Sequence, residues 1–305
     1  MKRGHRLLLS AVSYLLFCAQ AAAAASDISC AEGKRYYDLG RQAGAQQDFD
    51  KAVQWLDKSV QACESYEAWH LMGAAYKGQR KLDESLQAYE KAIEQASTSD
   101  KAAISLARYG QVLALNGQRF EALNMLDHAI ERHSSPPSWM LENARQLDHS
   151  LMDKPISGEA IKRSLATQVF GLLSPDSAAG KKLGIKTSTA SKIRIPINYQ
   201  YNSVELDPLT QQNVDTLGSV LADDSYEGRS FTLVGHTDVR GTWEYNLNLS
   251  EQRAEAAREE LVDKFPSLDG RLSVKGSGEA KPMYRGEDLS EDDHRLNRRL
   301  EIFVN

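Results

Sequence analysis

Cysteine is scarce in this chain: there are three in 305 residues, at positions 18, 30 and 63. That is too few for a disulfide-stapled scaffold. No long basic run occurs and the formal net charge is −5, which argues against nucleic acid as a partner. No set of His, Cys, Asp or Glu recurs at metal-site spacing. His236 and Asp238 would need further ligands, and none is evident. The acidic run from Glu287 to Asp293 does not match a calcium loop and reads as a solvated loop. No nucleophile elbow surrounds Ser250, so a Ser250–His236–Asp238 triad is not supported. The chain is therefore read as non-catalytic, with no cofactor and no metal. What remains is an ordinary soluble composition, 26% charged and 41% hydrophobic, with length enough for two domains.

Residues 1–25 read as a signal peptide. Lys2, Arg3 and Arg6 form a positive start, Leu7 to Ala19 an apolar stretch, and Ala23-Ala24-Ala25 a small-residue cleavage site before Ser26. Cleavage lowers the basic count from 37 to 34 against 42 acidic residues, so net charge falls from −5 to −8. The alternatives are an uncleaved anchor, disfavoured because the run barely reaches spanning length and ends in alanines, and lipidation. Cys18 follows Phe17 where a small residue would be wanted, and Cys30 lacks an apolar residue three positions earlier. Export would leave Cys30 and Cys63, an even pair in an oxidising compartment. Cys30 precedes an expected helix at 32–44 and Cys63 ends one at 50–62, so an antiparallel hairpin would bring them together as a disulfide. The alternative is two free thiols.

From 26 to 152 the pattern is helical and repetitive. Trp69, Met72, Gly73 and Tyr76, followed by Ser85, Tyr89 and Ala92, match the spacing of a helix–turn–helix repeat. Tyr36, Leu39, Gly40, Ala52 and Leu56 form an earlier copy. Leu106, Gly110, Leu113, Ala122, Leu126 and Ala129 form a later one. This resembles the tetratricopeptide repeat family, which implies an all-α solenoid whose concave surface holds a peptide or protein. Pro136-Pro137 stops the third copy, and Ser138–Met152 reads as a capping helix. Trp55 and Trp69 are expected in the core, and Arg35, Tyr36, Gln42, His70, Lys77 and Arg108 are candidates for the groove. Residues 153–191 read as one amphipathic helix, carrying Ile161, Leu165 and Val169, and a Ser/Gly/Lys-rich linker.

A second domain is expected over 192–305. Ile193, Ile195, Ile197 and Tyr199 alternate as in a half-buried strand, and Asp207-Pro208 opens a helix. The central stretch runs from Phe231 to Leu261. Phe231–Val234 is a short apolar strand closed by Gly235, and His236, Thr237 and Asp238 emerge at its carboxyl end, where α/β sheets commonly bind ligands. Ser250 reads as the cap of the next helix, placing Arg253 in its first turn. Strands are expected at 271–275 and 299–304, with a short helix near 290–296. An Asp facing an Arg across a loop can hold a ligand carrying an ammonium and a carboxylate; the plainer reading is two surface charges.

Four motifs follow in order: GHTD with Gly241 after it, N-L-N-L-S-E-Q-R-A from Asn246, G-x-G-E-x-x-P from Gly276 to Pro282, and N-R-R-x-E-I from Asn297 to Ile302. Together they resemble the OmpA-like peptidoglycan-binding domain of OmpA, Pal and MotB. The resemblance implies an α+β fold, a mixed sheet with helices on one face. It also implies a site in which Asp238 takes the ammonium and Arg253 the carboxylate of a diaminopimelate side chain, Arg pairing through two parallel hydrogen bonds. Asn246, Thr237, Asn202 and Arg298 (or Arg299 in place of Arg298) are carried over as further peptidoglycan-binding candidates.

The expectation is a multidomain periplasmic protein, wall-associated, with the outer membrane as a candidate location and only indirect membrane contact. Its partners would be peptidoglycan, through the diaminopimelate stem peptide, and an envelope protein held by the repeats. The alternatives are an interaction protein centred on the repeats, its second domain vestigial or specific for another ligand, and, ranked last, a cell-wall hydrolase.

Overall fold

A computed structural model describes residues 29–166, 171–185, 192–195, 199 and 203–305. Two compact units divide between Ser97 and Thr98. The third helical pair, expected with the repeats of 26–152, is thus grouped with the sheet.

The first unit is all helix: α1 (29–45), α2 (Phe49–Ala62), α3 (Tyr66–Gly78) and α4 (Leu82–Gln95). Asp48 and Ser65 cap α2 and α3 by accepting from Lys51 N and Ala68 N. Small residues let the pairs close. A Cβ on Gly73 would lie 2.9 Å from the Tyr89 ring, and Ser85 Oγ donates to Gly73 O at 2.7 Å. Trp69 packs against the core as expected. Trp55 does not join it: half-buried, it stacks on Tyr36 with centroids 5.8 Å apart and carries Lys58 over its face. Cys30 lies in the first turn of α1 and Cys63 caps α2, their sulfurs at bonding separation and their Cα atoms 4.8 Å apart.

The second unit begins with α5 (Ser99–Leu115), α6 (Arg119–Arg132), α7 (Ser138–Leu151) and α8 (Gly158–Ala166). After the short α9 (Ala178–Lys182) come β1 (Lys192–Ile195), α10 (Pro208–Leu221), β2 (Phe231–Gly235), α11 (Trp243–Lys264), β3 (Leu272–Gly276), α12 (Glu291–Asn297) and β4 (Leu300–Val304). The sheet is mixed, ordered β1-β4-β2-β3, with β2 and β3 parallel and β4 antiparallel to both neighbours. Its apolar face, Ile193, Ile195, Phe231, Leu233, Leu300 and Ile302, meets Val214, Leu217 and Leu221 of α10 and Ala254, Ala257 and Leu261 of α11. Ile156, Ile161 and Leu165 join the same core. The amphipathic helix expected between the domains therefore serves the sheet, while Val169 lies outside the described residues. Within the expected linker Ala179 is buried, as is Leu173 just before it.

Side-chain alternation sends Arg194 of β1 away from Ile193 and Ile195. It is 2% exposed. Its Nε and Nη2 donate to Asp127 of α6 at 2.8 and 3.2 Å, and its Nη1 and Nη2 to Asp148 of α7 at 2.5 and 3.0 Å. Tyr284 also donates to Asp148. Burial raises the Asp148 carboxyl from its ordinary value even beside Arg194. The outer edge of β1 is covered by side chains of α6 instead of another strand. Asn124 Oδ1 accepts from Arg194 N at 2.9 Å, and one turn later His128 Nε2 donates to Lys192 O at 2.9 Å. An exposed edge of this kind is a pairing hazard, and these two residues remove it. Because Nε2 donates, His128 Nδ1 is free to accept from Arg132 Nη1 at 3.1 Å. Burial, with Arg132 and Lys192 nearby, holds this imidazole down at about 3.

Arg194→Met should destabilise the second unit by about 3–5 kcal/mol in urea unfolding, because two buried carboxylates lose their common cation. His128 generates a pH dependence of definite sign. Its folded pKa lies below the ordinary value, so its contribution is complete above about pH 6.5 and is lost as pH falls toward 3. Between pH 7 and 5 the loss should be about 2 kcal/mol. His128→Gln, which keeps an N–H for Lys192 O and does not titrate, should remove that increment.

Candidate functional site

β2 ends at Gly235, which pairs in register with Gly276 at the end of β3. Both glycines lie under α11. A Cβ on Gly235 would overlap the carbonyl oxygen of Ser250, and one on Gly276 would come within 2.6 Å of Leu247 O. The paired glycines thus let the helix lie directly on the strand ends and bring Arg253 beside the loop after β2.

That helix starts earlier than expected. It is capped by Thr242, whose side chain accepts from Tyr245 N, and runs from Trp243. Ser250 is inside it and buried. Its Oγ donates to Leu247 O at 2.8 Å and accepts from Gly278 N at 2.8 Å, tying helix to loop. Arg253 is therefore a mid-helix residue and gains nothing from the helix N-terminus. The two asparagines at 246 and 248 have low helix propensity and disguise the first two turns; packing on the glycine pair overrides it.

Arg253 is 1% exposed. Its guanidinium lies over the Tyr199 ring at 4.8 Å, and its Nε donates to Ser203 O at 3.0 Å. Tyr199 OH donates in turn to Arg253 O at 2.7 Å. Burial pulls the guanidinium down to about 10, Tyr199 opposing and Arg298 adding to the fall.

Asp238 is 4% exposed. Its Oδ1 accepts from Arg240 N at 3.0 Å, closing a two-residue Asx turn, and from Arg240 Nε at 3.1 Å. Its Oδ2 accepts from Arg240 Nη2 and Arg298 Nη1, each at 2.7 Å. Burial disfavours the charged form, but these bonds outweigh it and hold the carboxyl at about 2. Arg240 and Arg298 also reach Glu291 of α12, at 3.0 and 3.2 Å.

Thr237, Asp238, Asn246, Arg253 and Arg298 of the sequence-derived set line one cleft, with Arg240, Tyr245 and Leu249. Asn202 lies outside the described residues. The Thr237 hydroxyl is buried and has no hydrogen-bond partner among the described residues. Asn246 holds the loop, donating to Arg240 O at 3.1 Å and to Glu279. Gly241, with φ +111°, makes the turn that brings the loop back to α11. The consecutive arginines part company. Arg298 meets Asp238, whereas Arg299 donates to Glu301 at 2.9 Å and to Lys281 O at 2.8 Å, beside buried His236. Burial and Arg299 hold His236 at about 4, against the pull of Glu301. Beside the cleft Val239, Trp243 and Tyr245 are exposed.

Sequence reasoning missed Arg240, Glu291 and Tyr199 as site residues. The Asx turn from Asp238 was a signal for Arg240. Nothing local marks Glu291, which comes from the acidic run, or the stacking role of Tyr199.

Residues 198–295 match the OmpA family, and residues 66–98 match the tetratricopeptide repeat. The peptidoglycan-associated lipoprotein of Pseudomonas aeruginosa is 35% identical over 104 residues, which make up 34% of this chain and 58% of that protein. Outer membrane porin F of the same species is 28% identical over 113 residues, 37% of this chain and 31% of the porin. The chain thus spans less than two thirds of either relative. Among solved structures, the peptidoglycan-associated lipoprotein from Burkholderia pseudomallei aligns with 25% identity and a TM-score of 0.32, covering 44% of this chain and 98% of that one.

Gly235→Ala should lower stability by about 1–3 kcal/mol, the usual cost of overpacking. It should also raise hydrogen exchange at Leu247–Ser250 first, since that is where the added methyl pushes.

Proposed function

We propose that this chain is a non-catalytic periplasmic protein that holds peptidoglycan through the diaminopimelate of a stem peptide and presents its helical repeats to a protein partner of the envelope. The observation that carries the reading is the cleft itself. A buried carboxylate, Asp238, and a buried guanidinium, Arg253, line the same small space beside a buried Thr237 hydroxyl that has no hydrogen-bond partner among the described residues. Diaminopimelate brings an ammonium and a carboxylate on one carbon, and Asp238 and Arg253 carry the opposite charges. The match of residues 198–295 to the OmpA family, and the likeness to peptidoglycan-associated lipoproteins, support wall anchoring as the role.

Each site residue then has its own part. Asp238 accepts from the ammonium, and Arg253 donates to the carboxylate, its plane fixed by the Tyr199 ring. The Thr237 hydroxyl bonds the peptide, Asn246 positions the loop, Arg298 keeps Asp238 ionised, and Asn202 is a further contact to the peptide. In the domain plan, residues 1–25 are removed on export, the repeats begin after them, and the wall domain occupies 192–305 with the preceding helices as its support. In the oxidising periplasm Cys30 and Cys63 form the disulfide that closes the first hairpin. On the chain-entropy account this contributes about 3–4 kcal/mol.

Sedimentation with purified sacculi tests the reading. Asp238→Ala and Arg253→Ala should each reduce the co-sedimented fraction at least about tenfold, as expected for truncating one member of a charge-assisted pair. Far-ultraviolet circular dichroism of both variants should stay unchanged. Full retention on sacculi by both variants, still folded, would remove the proposal.

A further inference from the structure

In this structure the carboxylate of Asp238 is already full. A carboxylate offers about four lone-pair sites. Arg240 fills three of them, through its backbone N, Nε and Nη2, and Arg298 Nη1 fills the other. A ligand ammonium can reach Asp238 only by displacing one of these donors. Arg298 is poorly placed to leave: its side chain is 5% exposed, and its Nε is committed to Tyr199 O at 3.2 Å. The Arg240 side chain is 36% exposed and has a second anchor ready. Its Nη1 already donates to Glu291 at 3.0 Å, and Glu291 is 60% exposed. Rotating toward Glu291 would free two sites, those now held by Nε and Nη2. The backbone N–H bond of the Asx turn does not depend on the side chain, so the loop keeps its shape.

We propose that Arg240 is the exchangeable counter-ion of Asp238 and sets the ligand specificity of the cleft. It closes the site in the unliganded protein and gives way to a ligand that replaces both halves of the broken pair. The ligand's ammonium takes the place of the guanidinium on Asp238, and its carboxylate receives the guanidinium so released, together with Arg253. A zwitterionic amino-acid end makes that exchange without leaving a buried charge unmatched. A side chain with an ammonium alone, such as lysine, makes half of it and leaves Arg240 with less than it had. Discrimination thus arises from the contact that must be broken as well as from those formed. This inference rests on the wall-binding reading above.

The test is calorimetric titration of the full chain with two tripeptides, one carrying meso-diaminopimelate and the other L-lysine at the same position. The wild type, Arg240→Gln and Arg240→Lys are compared, each checked by thermal melting. The wild type should favour the diaminopimelate peptide by about tenfold or more. In Arg240→Gln the lysine peptide should gain about tenfold and the ratio should fall toward unity. Arg240→Lys, which can hold Asp238 by one contact only, should fall between. An unchanged ratio in both variants overturns the proposal, as does weakening of both peptides by a common factor, which would make Arg240 a plain ligand contact. If neither peptide binds the wild type or either variant, the wall-binding reading itself falls and carries this inference with it.

Discussion

The second unit depends on one buried cation. β1 is four residues long and lies at the sheet edge, so it cannot be stable on its own hydrogen bonds. Its apolar residues give it one face. Arg194 decides what covers the other, because a buried guanidinium needs carboxylates and finds them on two different helices, Asp127 of α6 and Asp148 of α7. Asn124 and His128 then occupy the backbone edge. The sheet and the helices before it are thereby one folding unit, with the third helical pair serving as an outer wall for the sheet.

The cleft inherits its geometry from that arrangement. β1 pairs with β4, β4 pairs with β2, and the two arginines just before β4 point to opposite sides. Arg298 meets Asp238, while Arg299 meets Glu301, which also faces His236 and Lys192. Two charge clusters therefore flank the start of one strand. The one around Glu301 is enclosed and holds the strand ends together. The one around Asp238 reaches the surface through Arg240 and Glu291, and it is there that the proposed exchange with a ligand would take place.

Much of this architecture was legible in the order of residues. The periodicity of Phe231–Val234, the Asp207-Pro208 helix start and the small residues at Gly40, Gly73 and Gly110 each act within a turn or across a single hairpin. The motif order was specific enough to single out Asp238 and Arg253 before any fold was drawn. The start of α11 was misread because Asn246 and Asn248 suppress local helix propensity, and what stabilises those turns is contact with Gly235 and Gly276. Residue type alone places Trp55 in the core, yet its position on α2 turns it toward Tyr36 and Lys58.

By itself, then, the sequence determined most of the elements, the Asp207-Pro208 helix start and the chemical character of the candidate site: one carboxylate and one guanidinium flanking a loop. Tertiary structure alone decided which charges pair. Arg194 is 67 residues from Asp127 and 46 from Asp148, and Arg298 is 60 from Asp238. The physical reason lies in the range of the forces involved. Hydrophobic periodicity and capping are set by near neighbours in the chain, whereas a buried charge takes whichever partner the closed fold brings within reach, because leaving it unpaired costs several kcal/mol. That rule joined the helices to the sheet through Arg194, and it placed Arg298 on Asp238.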